Sequence, residues 1–441
     1  MRVENIANVP TQVASAFIHM ESYTEGTNLV ISKAENEPTF IGRTYEMTPL
    51  NGGGSEFNGL IQNILKMAQD DALVQFSLMN HPDYEAPYIL ARGKTHGSEL
   101  LQELINRQAK LYERALCIDS LTDIPAINRK TLIVSLMCPV EKADDAALAM
   151  ANDTQDEFLS GLRGCGFGDV RHIAPDELIG IYRQFADIYA PRKIPNIDEM
   201  LDLRQQAFGP DDHFDFRAAE HGLINKKIYC AAIVPKSLPK AVSIGLMNLI
   251  AGAPLNKGPT KEGGGLRVKT PYIITATVRV ANQRKEADRI ALAIKSRSRN
   301  EKLPFSLGVE NKEEILQDLQ FLEQACADGT NKYTYASITA FVYAKDRVQL
   351  VAAKSAFKQT FDNLDFDARA VTDTVGVRFA QCLPLNYSLR LAAKLENEAL
   401  MPAGSAACLL PIYGDYSGNA DRNSDATGTV FLTRRGSAHY F

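Results

Sequence analysis

The sequence predicts an α+β fold, with two successive blocks of mixed β-sheet covered by α-helices and a β-hairpin after them. Two observations support the blocks: apolar runs of strand character alternate with amphipathic helical segments in residues 1–205, and the same order recurs in residues 206–410. A third supports the hairpin, because an Arg-Arg-Gly turn divides the apolar stretch at 427–441. The recurrence is one of layout only, since the blocks share no residue-level similarity.

The elements of the first block follow from hydrophobic periodicity. Strands are short apolar or alternating runs between turn residues, and they are predicted at 28–32, 39–42, 74–79, 132–138 and 169–173. Helices carry apolar residues at helical spacing, and they are predicted at 55–68, 98–116, 144–162 and 175–189. Pro139 should stop the strand before it because proline has no backbone N–H. The glycines at 164–168 should end the preceding helix in a left-handed cap.

The second block begins after a junction with prolines and glycines that ends near Lys227. Its strands are predicted at 228–234, 272–280, 334–343 and 366–370, and its helices at 239–250, 283–298, 312–327 and 346–363. Asp346 should cap the last helix, and Gly329 should end the one before it. The helix at 283–298 is expected to bury four apolar residues: Ala287, Ile290, Ala291 and Ile294. In both blocks, helices are expected to cover one side of the sheet.

Composition and charge place the chain among ordinary globular proteins. Its 441 residues are 45% apolar and 23% charged, and a net charge of −5 does not favour nonspecific attraction to DNA or membranes. Residues 1–10 lack a secretory signal pattern, and no apolar run approaches the roughly 20 residues that span a bilayer. These features predict a protein that is cytosolic, or that lies on a membrane only through partners. The cysteines form no C-x-x-C pair and are interpreted as buried reduced thiols: Cys117, Cys138, Cys165, Cys230, Cys326, Cys382 and Cys408.

The residue patterns predict no catalytic, cofactor or metal site in this chain. The glycine-rich stretch 252–265 has two glycines at phosphate-loop spacing, but Gly264-Gly265 stand where such a loop needs Lys and Ser or Thr. We interpret residues 251–271 as a mobile loop that orders on contact with a partner. For the acidic stretch 211–215, a divalent metal site is one interpretation. A solvated turn is preferred, because neither a helix nor a second cluster sets the ligand geometry.

The densest basic run of the sequence lies mostly within the predicted helix at 283–298. Charged helix faces are usually solvated, and contact with acidic partners, lipid headgroups or nucleic acid is the alternative. No direct nucleic-acid site is identified. Together with two lysines of the glycine-rich loop, the run supplies the candidates for partner contact: Arg284, Lys285, Arg289, Lys295, Arg297, Arg299, Lys257 and Lys261.

Four groups of short sequence segments occur in an order and spacing that resemble those of a known family. They are residues 57–61 with 75–78 and 107–108, then 159–166 followed by 176–182, then 379–385 with 408–412, and finally 428–441. In that order they resemble the N-terminal domain of the conjugation and type IV secretion ATPases of the TraC, TraU and DotO kind. The resemblance covers essentially the whole chain.

This resemblance implies a cytoplasmic energy subunit at the inner-membrane base of a secretion or conjugation channel. Residues 411–441 are then expected to be a strand pair that leads to a P-loop ATPase domain outside this sequence, so that ATP and Mg bind outside the 441 residues. The parent is expected to hydrolyse ATP and to assemble as a hexamer, or as dimers arranged in a hexamer. The implied partners are other copies of the chain, inner-membrane secretion subunits, a second secretion ATPase and a coupling protein.

The role expected for this chain is therefore an assembly and docking domain that is not itself catalytic. Two alternatives from other classes remain open. One is a free-standing enzyme with an unrecognised site between the two halves, and the other is a scaffold without a motor.

Overall fold

The secondary structure comes from a computed structural model that describes residues 17–50, 59, 61–63, 65–66, 68–84, 99–116, 128–209, 212–218, 220–239, 242–243, 245–250, 270–300, 312–327, 329, 331–414, 430–432 and 438–440. The strands are β1 Met20–Tyr23, β2 Val30–Lys33, β3 Thr39–Thr48, β4 Leu73–Pro82, β5 Asn128–Val140, β6 Gly168–His172, β7 Phe214–Asp215, β8 Gly222–Ile224, β9 Ile228–Ser237, β10 Tyr272–Val280, β11 Tyr333–Ala344, β12 Asp367–Ala370, β13 Ala399–Pro402, β14 Val430–Leu432 and β15 Ala438–Tyr440. The helices are α1 Glu99–Leu116, α2 Asp145–Gly164, α3 Pro175–Ala186, α4 Leu203–Gln206, α5 Leu246–Ile250, α6 Gln283–Asn300, α7 Lys312–Ala327, α8 Arg347–Asp362, α9 Val375–Cys382, α10 Leu389–Leu395 and α11 Ala403–Cys408.

Most of the strands join in one large sheet. Its 13 strands follow the order β1-β2-β3-β5-β4-β10-β11-β9-β8-β7, while β6, β12 and β13 pair with β3, β9 and β11. The ladders of this sheet are antiparallel within the described part of the chain, so the mixed sheet of the prediction is wrong. β14 and β15 form a separate antiparallel pair. The α+β class is confirmed.

The two predicted blocks meet in the middle of this sheet. Strand β4 pairs with β10 from Leu73 opposite Arg279 to Asn80 opposite Tyr272. The backbone of the first block therefore bonds directly to that of the second. A division into two separate sheets is not confirmed, and the proposed domain boundaries near residues 205 and 410 stay predictions.

Helices cover both faces of the sheet, so the prediction of one covered side is wrong. On the first face, α2 and α8 bury side chains such as Phe158 and Phe357 in a large apolar core. On the second face, α3 and α9 bury side chains such as Tyr182 and Phe379 in another. The physical reason lies in the central strands, whose successive side chains point to opposite faces and supply apolar residues to both cores.

The predicted helix ends are mostly confirmed. The carboxylate of Asp144 accepts a hydrogen bond from the backbone N–H of Ala147 at 2.9 Å, which caps α2. Asp346 caps α8 in the same way, through the N–H of Gln349 at 2.8 Å. After α2, Gly166 has φ +80°, and this left-handed conformation ends a helix without steric cost at glycine. After α7, Gly329 has φ +70° and plays the same part.

Pro139 lies inside β5, contrary to the prediction that it stops the strand. The ladder between β5 and β3 continues to Val140, whereas the ladder between β5 and β4 ends at Met137. The side of Pro139 that faces β4 therefore needs no ladder hydrogen bond. A proline is tolerated at such a position because its missing N–H removes no strand pairing.

Two helices are shorter than predicted. The helix expected at 239–250 spans only Leu246–Ile250, because Gly245 has a left-handed φ of +83° that prevents the helix from starting earlier. The helix expected at 175–189 ends at Ala186, since Asp187 leaves helical geometry with φ −126° and ψ 81°.

Candidate functional site

Helix α6, which holds most of the predicted contact candidates, packs on a narrow stripe. Ile290 is buried in a small core with Leu322 of α7, and Ile294 is half-buried beside it. Ala287 and Ala291 are exposed, contrary to the prediction that they are buried. The reason is geometric: α6 touches its neighbours along one side only, and these two alanines lie off that line.

A network of ion pairs and hydrogen bonds around Glu286 and Arg289 fixes α6 to the sheet. Arg289 donates from Nε to the carboxylate of Glu286 at 2.8 Å and from Nη2 to the hydroxyl of Tyr335 at 2.8 Å. The guanidinium of Arg279 lies 4.2 Å from the centre of the Tyr335 ring and pairs with Glu398 at 3.2 Å. Burial, together with Glu286, raises the pKa of Tyr335. The charge of Arg289 is therefore engaged within the fold.

The other candidates on α6 point outward or lie outside the described side chains. Arg284, Lys285 and Lys295 are exposed. The side chains of Arg297 and Arg299, and the whole loop at 251–269 with Lys257 and Lys261, lie outside the described residues. The structure thus places six of the eight candidates on one helix, and it describes the side chains of four of them: Arg284, Lys285, Arg289 and Lys295.

Large apolar side chains are exposed among the charges of α6 and α7. Leu292 on α6 is 66% exposed, and Phe321 on α7 is 63% exposed. Helix α6 carries six basic and two acidic residues, whereas α7 carries one basic and four acidic residues. We call the exposed residues of the two helices the α6–α7 surface: Arg284, Lys285, Leu292 and Lys295 on α6, with Glu313, Glu314, Asp318 and Phe321 on α7.

The described part of the acidic stretch, residues 212–215, makes local contacts, and Asp211 lies outside the described residues. The carboxylate of Asp212 accepts hydrogen bonds from the backbone N–H of Gly209 at 2.7 Å and from Nδ2 of Asn225 at 2.9 Å. Asp215 pairs with Arg217 at 2.6 Å. In the part of the chain that the structure describes, no group of three or more His, Cys, Asp or Glu side chains is placed to hold a metal ion.

Six cysteines lie in the described residues, and each is a thiol outside any disulfide. Five of the six are buried, and Cys326 is half-buried; Cys117 lies outside these residues. Burial raises the pKa of Cys138 and that of Cys230 to about 12. A thiol with so high a pKa is protonated at neutral pH, so these two are not nucleophiles.

A belt of buried polar residues crosses the second face of the sheet, and sequence reasoning missed it. Pairing places Gln75, Thr277 and Ser337 in one row, and Ser77, Thr275 and Thr339 in the row beside it. The belt is internally bonded: the hydroxyls of Ser77 and Thr275 lie 2.9 Å apart, and Gln75 Nε2 lies 3.2 Å from the Thr277 hydroxyl. The signal was present in the sequence, because β4, β10 and β11 alternate apolar and polar residues although both sheet faces are covered.

Helix α9 lies over this belt and places Arg378 against it. Arg378 lines a small cavity together with Thr277, Gln381 and Tyr387. The residue is only 4% exposed. A lone arginine in a sequence gives no sign of such burial, because its place depends on how α9 packs across three distant strands.

The comparisons with known proteins agree with the resemblance carried by the four groups of short sequence segments. Residues 37–387 match the family described as TraC protein. This match covers most of the chain, which therefore belongs to the TraC family of conjugation and type IV secretion proteins. Membership implies that it works with other components of a secretion system. No curated protein matches the chain. Among the described helices, none has the length and apolar character needed to cross a membrane.

Proposed function

We propose that this chain is the assembly and docking part of a TraC-type secretion ATPase. It binds other copies of itself and attaches the machine to inner-membrane subunits from the cytoplasmic side. In this proposal, the parent protein forms a hexamer, or dimers arranged in a hexamer. A second secretion ATPase and a coupling protein are further partners. Membership of the TraC family supports a role in a conjugation or type IV secretion system.

The exposed α6–α7 surface is the observation that carries this proposal. Leu292 and Phe321 each leave about two-thirds of their surface in water although the sheet offers two apolar cores. Burying the exposed two-thirds of such a side chain stabilises a contact by roughly 1–2 kcal/mol. Large exposed apolar residues rimmed by charge are typical of protein interfaces.

The charges of this surface favour a second copy of the chain as one occupant. Because α6 is mainly basic and α7 mainly acidic, α6 of one copy complements α7 of another. In a two-fold arrangement, α6 of each copy lies against α7 of the other, because each copy offers the same pair of helices. The network around Arg289 holds α6 in place before contact, which reduces the ordering that association requires.

The proposal assigns ATP hydrolysis to a P-loop domain outside these 441 residues. Its support is the sequence, in which no G-x-x-x-x-G-K-S/T string occurs. Purified chain incubated with ATP and Mg is expected to release no phosphate above the blank. Measurable hydrolysis by this chain would assign the activity to these residues and contradict this part of the proposal.

A transfer assay in cells tests docking. The chain is overproduced in donor cells that carry the matching conjugation system, and the frequency of plasmid transfer is measured. An intact docking part competes with the full-length subunit, so transfer is expected to fall. Phe321→Glu places a charge in the contact and should restore transfer, whereas Val348→Glu, at an exposed apolar position on α8, should compete like the unmodified chain. Equal competition by both variants would remove the α6–α7 surface from the docking role.

A further inference from the structure

Arg378 is a buried cation with two guanidinium nitrogens that lack a partner among the described residues. Among the described residues, neither its Nε nor its Nη1 has a hydrogen-bond acceptor, and each of these atoms is inaccessible to solvent. Burial, with the nearby charge of Arg369, lowers the pKa of Arg378 to about 10, which still leaves it charged at neutral pH. A buried charge without a counter-ion is strongly unfavourable, and so are unpaired buried N–H groups.

A third unpaired donor lines the same cavity. The side-chain oxygen of Gln381 accepts a hydrogen bond from the backbone N–H of Ser388 at 3.1 Å, which fixes the orientation of the amide. Its Nε2 is buried and has no partner among the described residues. Gln381 and Arg378 both line the cavity beneath α9. Three N–H-bearing atoms without acceptors thus belong to two residues that line one small cavity.

The remaining polar walls of the cavity supply the Asn397 amide and several hydroxyl groups, but no carboxylate. They include Thr277, Ser337 and Tyr387. Thr277 already accepts a hydrogen bond from Gln75 Nε2, so its own proton is available for donation. Tyr387 donates to Glu398 at 3.0 Å, and that carboxylate is also engaged by Arg279 at 3.2 Å. The cavity is therefore rich in donors and has no negative group of its own.

The size of the cavity limits what it can hold. Its volume is about 10 Å³. This is the volume open to the centre of a water-sized particle, so the cavity accommodates one water molecule or one ion slightly larger than water. Phosphate, sulfate, carboxylates and nucleotides are too large. The occupant must be a single atom or a water molecule, and only an anion also neutralises Arg378.

We propose that this cavity binds a monoatomic anion, chloride, held by Arg378, the Gln381 amide and the Thr277 hydroxyl. Bound chloride satisfies the unpaired donors and neutralises the buried guanidinium. It thereby fastens α9 to the central strands β10 and β11. The site lies on the second face of the sheet and is independent of the proposed docking role of the α6–α7 surface.

Thermal unfolding at constant ionic strength tests the site. Sodium chloride is replaced stepwise by sodium gluconate, whose anion is too large for the cavity, and unfolding is followed by circular dichroism because the chain has no tryptophan. The melting temperature of the unmodified chain is expected to rise with chloride and to saturate. Thr277→Val should weaken the apparent chloride affinity by about tenfold, the change expected from losing one hydrogen bond to a charged group.

Removing the charge of Arg378 gives the largest expected difference from the unmodified chain. Arg378→Met should abolish the chloride dependence, and in gluconate it should melt no lower than the unmodified chain because it no longer buries an unpaired cation. Arg369→Met, which changes an exposed arginine on the neighbouring β12, should retain the dependence. An unmodified chain insensitive to chloride, or an Arg378→Met chain equally sensitive to it, would overturn the proposal.

Crystals grown in bromide provide a direct readout. Anomalous density is expected within hydrogen-bond distance of Nε and Nη1 of Arg378. A water molecule at that position, without an anomalous signal, would show that the cavity is hydrated and would also overturn the proposal.

Discussion

Asn386 is expected to be one of the most sensitive polar positions of the fold. It is fully buried and lies just after α9, where it connects the N-terminal strand region to the helix. Its Nδ2 donates to the carbonyls of Phe17 and Ala380, each at 2.9 Å, and its Oδ1 accepts from the N–H of His19 at 2.7 Å. One side chain thus satisfies three backbone groups, two of which belong to the distant residues Phe17 and His19.

The cost of Asn386→Ala can be worked from these contacts. Each lost hydrogen bond removes about 1 kcal/mol, and the alanine has no group to replace any of the three. The free energy of unfolding should therefore fall by about 3 kcal/mol. The assay is urea unfolding followed by circular dichroism, with the change read from the transition midpoint at an unchanged slope.

An exposed asparagine supplies the control for this measurement. Asn196 lies in the segment after α3, and Asn196→Ala should change the free energy of unfolding by less than about 0.5 kcal/mol. A loss below about 1 kcal/mol for Asn386→Ala would refute the reasoning, because it would mean that water or a rearranged backbone satisfies the three groups.

Two further predictions follow from the packing and from the titration of the second sheet face. At Gly42 in β3, an added Cβ would lie 2.6 Å from the Leu136 carbonyl oxygen and 2.7 Å from Cδ2 of Leu385, so Gly42→Ala should destabilise the fold by about 2 kcal/mol in the same urea assay, and a neutral effect would contradict this packing. Burial, with the charge of Arg129, lowers the pKa of His81 to about 4, so the neutral imidazole is favoured in the folded state. The contribution of neutral His81 to the free energy of unfolding should be complete above pH 6.5. It should be lost as the pH falls towards 4, by about 3 kcal/mol in total. His81→Gln should lack this part of the acid sensitivity when unfolding is compared at pH 7 and pH 4, and an identical pH profile would contradict the assignment.

Much of the secondary structure could be predicted from local patterns. The strand β10 and the helix α7 have the predicted bounds, because Pro271 marks the start of the strand and Gly329 the end of the helix in sequence. Asp346 was recognised as a cap because its side chain acts on a residue three positions away. Signals of this kind involve neighbours in the chain, and they do not depend on the tertiary fold.

The single sheet could not be predicted in the same way. The pairing of β4 with β10 joins residues about 200 positions apart, such as Gln75 and Thr277, and no local pattern specifies that partner. Coverage of both faces also depends on where α3 and α9 pack. A run such as β4 reads as a buried strand in either arrangement, so its sequence alone does not say how many helical layers surround it.

The candidate surface was predicted only in part. The basic character of α6 is evident from its sequence. The hydrogen bonds of Arg289 to Glu286 and Tyr335 could not be predicted, because Tyr335 lies on β11, which follows α7 in the chain. The exposure of Phe321 was missed for a related reason. An aromatic residue in an amphipathic helix is normally expected to face the core, and here the contact of α7 with α6 uses Leu322 instead.

Sedimentation equilibrium over a dilution series tests the central claim most directly, because it measures the mass of the chain in solution. The account predicts a dimer or larger assembly that dissociates on dilution, a Phe321→Glu variant that stays monomeric, and a Val348→Glu variant that assembles like the unmodified chain. A monomer mass at every concentration, or an assembly that Phe321→Glu leaves unchanged, would contradict the account.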